Sequence, residues 1–202
     1  GKFSAAAEQF SAAGDYKDAA SKAKRATAAQ SYADGEAKFN AGDYTAASAL
    51  FTAAAGYEDA AERVRQSQLG VHYKAAETAF ANGDYPSAIS EFEQAENFQD
   101  AAEQVLASTY ALADENEKKE EYAKAIEEFD SIGDYSDAKE RIFAIGLARL
   151  NANDFSLAEK AFETGGSSQS EDYYYYTQGK ELFSRKKYSD AKEQFKKCAV
   201  ED

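Results

Sequence analysis

The chain has 202 residues, one proline and a net charge of −14, with 23 Lys and Arg against 37 Asp and Glu. Nucleic-acid binding rests on cationic side chains that displace phosphate counterions, so this balance argues against it. No run approaches the roughly 18 apolar residues of a membrane span, and the single cysteine, Cys198, excludes an internal disulfide and a cysteine-based metal site. Alanine is the best helix former and proline the strongest breaker, so the composition favours helix throughout. The chain lacks methionine and opens on Gly1, which reads as a fragment of a longer protein.

One phrase recurs from the first residues to the last: an aromatic, alanine three later, phenylalanine seven later. It opens at Phe3, Ala6 and Phe10 and returns at Tyr44/Ala47/Phe51, Tyr85/Ala88/Phe92, Tyr122/Ala125/Phe129, Phe155/Ala158/Phe162 and Tyr188/Ala191/Phe195. Ten residues after each first aromatic stands Ala13, Ala54, Ala95, Ile132, Gly165 or Cys198. Positions 0, 3, 7 and 10 share one face of a helix, so the spacing predicts six short helices with the same apolar stripe.

A second phrase follows thirteen residues behind: Tyr16/Ala19/Ala23, Tyr57/Ala60/Val64, Phe98/Ala101/Val105 and Tyr135/Ala138/Ile142. Two residues after each of these aromatics is Asp18, Asp59, Asp100 or Asp137. A carboxylate there meets the free N–H groups of a first helical turn, so these aspartates mark helix starts rather than sites. Gly-Asp precedes Tyr16, Tyr44, Tyr85 and Tyr135, as befits a left-handed C-cap followed by an N-cap. The stretch from Tyr57 to Asn82 keeps one stripe and reads as a single helix through Gly70. Anchors 41, 41, 37, 33 and 33 residues apart change in steps of about one turn, which leaves the buried face in place. About eleven helices follow, in tight pairs.

Taken with small residues nine before each turn aromatic (Gly35, Ala76, Ala113, Gly146 and Gly179), this pattern resembles the tetratricopeptide (TPR) repeat family. The resemblance covers nearly the whole chain. It implies an all-α solenoid, a right-handed superhelix of antiparallel helix pairs over residues 1–202, which binds proteins or peptides without catalysis or cofactor. The Gly-Asp-Tyr-x-Asp-Ala turns look like those of bacterial multidomain and membrane-anchored proteins, so the fragment would lie in the cytoplasm or outside it on an anchored protein. The chain departs from the family's usual period and from its proline-containing link. It also carries Phe39, Phe80, Leu150 and Phe183 one position late, so the family's groove positions do not transfer directly.

Four places are irregular. Glu117 stands where other repeats have Phe or Leu, and Glu120 replaces a turn glycine; this hairpin is expected to pack loosely and act as a hinge. The segment 164–171 reads as a flexible link, with Ser168 where a second-phrase aromatic belongs. Tyr173, Tyr174, Tyr175 and Tyr176 then encircle the start of a helix, so one or two must face outward, where tyrosine makes a good partner anchor; alternatively Tyr173 and Tyr176 pack inside and the other two lie against a neighbour. Arg185 to Lys197 is locally basic, and a final helix should offer a polar cap.

Two rows across the repeats complete the candidates. Tyr32, Tyr73, Tyr110, Phe143 and Tyr176, twelve before each turn aromatic, have the spacing of a packing stripe. Glu36, Glu77 and Asp114, eight before, would favour a basic peptide or protein if they line a groove; on most helices such charges are only solvated. His72, the lone histidine, has no second histidine for a metal site or a triad. The reading is therefore a non-enzymatic interaction scaffold. The alternatives are a spacer or oligomerisation arm and, third, a ligand-sensing domain.

Overall fold

The structure is a computed structural model that describes residues 2–198. These form eleven helices and no strand: α1 (Lys2–Ala12), α2 (Ala19–Asn40), α3 (Tyr44–Ala53), α4 (Ala60–Ala81), α5 (Tyr85–Gln94), α6 (Ala101–Lys118), α7 (Tyr122–Ser131), α8 (Ala138–Asn151), α9 (Phe155–Gly165), α10 (Ser168–Ser184) and α11 (Tyr188–Phe195). Successive helices pack in pairs, an all-α arrangement of the solenoid kind that the stripe predicts. The chain divides into two compact units, residues 1–105 and 106–202.

The short helices begin as their sequences dictate. Asp43, Asp84 and Asp154 cap α3, α5 and α9 by accepting from the backbone N–H of Ala46, Ser87 and Leu157. Pro86 falls in the first turn of α5, where a missing N–H costs little. The residue two before each turn aromatic is left-handed whether or not it is glycine: Gly42 has φ 77° and Glu120 φ 63°. The second-phrase aromatics lie outside the helices, because α2, α4, α6 and α8 begin at the alanine three later.

The stripes form the core. Ala47, Phe51, Ala88, Phe92, Ala125, Phe129, Ala158 and Phe162 are buried. In the first unit Tyr44, Leu69, Tyr73, Phe92 and Phe98 make one cluster. The second unit has one cluster around Phe129, Ile142 and Ile145, and another around Leu150, Ala158 and Phe162. Fully burying one such side chain contributes roughly 1.5–3 kcal/mol.

Helix α4 runs unbroken through Gly70, and the reason is a close approach. A Cβ at Gly70 would stand 2.6 Å from the Tyr44 ring, so glycine's helix penalty of about 1 kcal/mol is accepted for that crossing. The small residue nine before each turn aromatic works likewise: at Gly146 a Cβ would stand 2.6 Å from Phe162.

Two expectations fail here. The hairpin of α6 and α7 does not pack loosely. Ala113 and Ala125 are fully buried, Asn116 donates to both carboxylate oxygens of Glu128 at 3.0 and 2.7 Å, and Glu117 is paired with Arg141. The 164–171 segment is a tight capped turn and not a slack link. Gly166 ends α9 in the left-handed conformation, and Ser167 accepts from the N–H of Ser170 to start α10.

Candidate functional site

Each long helix carries an aromatic that packs against the phenylalanine of the short helix after it, edge-on in four pairs and tilted in the last. The pairs are Tyr32–Phe51, Tyr73–Phe92, Tyr110–Phe129, Phe143–Phe162 and Tyr176–Phe195, with ring centroids 5.3–5.7 Å apart. A third ring joins the first three pairs from the following turn: Tyr57 on Tyr32 at 5.6 Å, Phe98 on Tyr73 at 5.7 Å and Tyr135 on Tyr110 at 6.2 Å. Such contacts add about 0.5–1.5 kcal/mol beyond burial.

The aspartates do more than mark helix starts. Asp18, Asp59 and Asp137 hold the N-cap position but make no side-chain cap bond. Instead Tyr32 donates its hydroxyl hydrogen bond to Asp59, Tyr73 to Asp100 at 2.5 Å and Tyr110 to Asp137 at 2.5 Å. Each pair is 27 residues apart and ties one long helix to the start of the next. The bond to Asp59 pushes the Tyr32 hydroxyl up to about 12. Burial and then the bond to Asp100 push Tyr73 up as well, while the Tyr73 and Gln104 hydrogen bonds hold Asp100 below the usual carboxylate range.

The acidic row is engaged within the chain. Arg63 meets Glu36 with two hydrogen bonds of 2.5 and 2.7 Å and stacks over Phe39, 4.2 Å from its centroid. Arg141 meets Asp114 at 2.8 Å and Glu117 at 2.7 Å. Lys118 and then Arg141 hold Asp114 below its ordinary value. Glu77 pairs with Lys74 on its own helix. Glu36 also lines an open cleft of about 720 Å³ with Phe3, Tyr32, Tyr57, Glu58 and Asp59, while the structure brings neither Glu77 nor Asp114 into it. His72 Nδ1 lies 2.8 Å from Glu91. Among the described residues no group of three or more His, Cys, Asp or Glu is placed to hold a metal ion.

The tyrosine run has a different logic at each position. It lies in the second turn of α10, since the helix begins at Ser168. All four rings are half-buried. Tyr173 packs 5.4 Å from Phe143 and 5.3 Å from Phe162, so it supplies the third ring that Ser168 cannot. Tyr174 stands 27 residues after Leu147, the separation that sets Arg63 from Glu36, and both join the apolar cluster around Phe162. Tyr176 packs on Phe195. Tyr175 meets Tyr174 edge-on at 5.6 Å, with Lys197 5.0 Å over its face.

Tyr174 and Tyr175 also line a cleft of about 470 Å³ with Phe162, Glu163, Gly166, Ser167, Ser168 and Glu171. Burial pushes the Tyr174 hydroxyl above its ordinary value, helped by the negative charges of Glu163 and Glu159. The cleft thus sets Tyr174 and Tyr175 beside the carboxylates of Glu163 and Glu171, with Lys197 over one face of Tyr175. Sequence reasoning found its tyrosines but missed Glu163, which shares its repeat position with Glu93 and Asp130, and Glu171, which has no acidic counterpart in the other repeats. No protein-family model matches the chain, and no curated protein is significantly similar to it.

Proposed function

We propose that the chain is a non-enzymatic interaction module of tetratricopeptide-like helical repeats. It holds a basic peptide or a basic segment of a protein in the cleft beside Tyr174 and Tyr175. The observation that carries this reading is the pairing, in one concave place, of two tyrosine rings with Glu163 and Glu171. Tyrosine offers large contact area at small entropic cost, and the acidic pair selects for positive charge. Tyr173 and Tyr176 are outside the cleft lining, whereas Tyr174, which also touches the apolar cluster around Phe162, and Tyr175 both line it, so the partner falls to these two.

Panning a random peptide display library against the immobilised chain tests this. Enriched peptides should be rich in Lys and Arg, and Tyr174→Ala with Tyr175→Ala should weaken them about tenfold or more. Enrichment of acidic or uncharged peptides, or binding indifferent to both tyrosines, would defeat the reading. The arm reading draws support from Phe3, Tyr16, Phe183 and Tyr188, exposed on the first and last hairpins. On that reading, sizing would show concentration-dependent assembly.

A further inference from the structure

Where one long helix crosses the start of the next, three crossings place an acid in the same repeat position: Glu36, Glu77 and Asp114. Two of them have an arginine 27 residues on to meet it. Arg63 gives Glu36 two hydrogen bonds and lies 4.2 Å from the centroid of Phe39. Arg141 meets Asp114 and also Glu117, which holds the place of Phe39. At the crossing between them the same three places hold Glu77, Phe80 and Gln104, all in the first compact unit. The acid and the ring are present without the guanidinium. Gln104 is uncharged and donates its amide to Asp100 at 2.9 Å. The seat that Arg63 fills is left open here. Phe80 is 36% exposed where Phe39 is half-buried, and the Glu77 side chain is 44% exposed against 33% for Glu36.

We propose that Glu77 and Phe80 form a seat for an arginine side chain of a partner polypeptide, which takes the place that Arg63 fills at the crossing before. A guanidinium suits it, because it meets a carboxylate with two parallel hydrogen bonds while its flat face stacks on a ring. Lysine offers a point charge alone. Lys74 now meets Glu77 at 2.6 Å from the same helix. Both side chains are well exposed, and such a pair contributes little, so Lys74 turns to solvent as the arginine enters. A second copy is a poor source. Two chains of net charge −14 repel each other. Of the chain's six arginines, four are ion-paired and Arg149 is stacked over Tyr122 at 4.0 Å, which leaves the exposed Arg25 to be tested. The seat shares no residue with the Tyr174–Tyr175 cleft, so either can fail without the other.

The test has two arms, both on the whole chain. In the first, Gln104→Arg supplies the missing guanidinium from within. It should raise the melting temperature by about 2–4 °C, Gln104→Met should not, and adding Glu77→Gln should cancel the gain. In the second, NMR of labelled phenylalanine rings follows a titration with the blocked pentapeptide Gly-Gly-Arg-Gly-Gly at low ionic strength. The Phe80 signal, assigned with Phe80→Leu, should shift saturably. The lysine analogue should bind more weakly, and the shift should vanish in Glu77→Gln and in Gln104→Arg. No gain from Gln104→Arg, a gain that survives Glu77→Gln, no saturable shift, or a shift that Gln104→Arg leaves in place would each overturn the proposal. So would dimerisation in sedimentation that Arg25→Ala and Glu77→Gln each abolish, which would give the seat to a second copy.

Discussion

The junction formed by α2, α3 and α4 and the one formed by α8, α9 and α10 have one design and different chemistry. The first packs Tyr32, Phe51 and Tyr57 together, gives the Tyr32 hydroxyl to Asp59 and pairs Glu36 with Arg63. The second packs Phe143, Phe162 and Tyr173. Ser170 stands where Asp59 does, and Leu147 and Tyr174 stand where the ion pair does. Between these two junctions the polar partners are lost together: Tyr32 and Asp59 give way to Phe143 and Ser170, and Glu36 and Arg63 to Leu147 and Tyr174. A lone buried donor or charge is expensive, whereas replacing both partners with apolar groups of similar shape is nearly neutral. The repeat thus preserves shape and polar satisfaction, and it is indifferent to which chemistry supplies them.

The largest effect should come from the ring common to both junctions. Phe51→Ala and Phe162→Ala should each lose about 3–5 kcal/mol in urea unfolding, since both rings are almost fully buried. A loss under about 1 kcal/mol at either would show that the two junctions are not built around the same kind of ring. Next comes a swap that turns one junction toward the other. Leu147→Glu alone places a carboxylate in an apolar cluster beside Tyr174, and should cost about 1–3 kcal/mol. Adding Tyr174→Arg should recover at least half of that loss. No recovery would mean that the two positions are not equivalent.

A smaller difference should appear at high pH. Tyr32, Tyr73 and Tyr110 are held protonated in the fold, each raised from an ordinary value near 10. Their contribution is complete below about 10 and is lost as pH rises through their raised values. Melting temperature should therefore hold steady from neutral pH to about 9 and fall above about 10. Tyr32→Phe, Tyr73→Phe and Tyr110→Phe together should flatten that fall, while Tyr188→Phe, on an exposed ring, should leave it as it is. Each hydroxyl removed should itself cost about 0.5–1.5 kcal/mol at neutral pH.

Much of this design was legible in the chain. The stripe at 0, 3, 7 and 10 marked the short helices because packing along a helix is local and periodic. Gly70 was read inside a helix from the stripe on either side of it, although the reason, the Tyr44 ring, lies 26 residues away. The aspartates marked the helix starts correctly, but the bonds of Asp59, Asp100 and Asp137 were hidden, because they reach back 27 residues to a tyrosine. Glu117 misled: a charge at a stripe position suggested slack packing until Arg141 was seen to reach it. The tyrosine run was legible as an anomaly only. Its division into packed and available rings depends on Phe143, Phe162 and Phe195, which three-dimensional folding alone brings to α10.

That division is the claim on which the functional reading turns, and urea unfolding of Tyr173→Ala beside Tyr175→Ala tests it most directly. Tyr173 completes a three-ring cluster and should cost about 2–3 kcal/mol, while Tyr175 should stay within about 1 kcal/mol of the parent. Equal losses at the two positions, or the larger loss at Tyr175, would contradict the account.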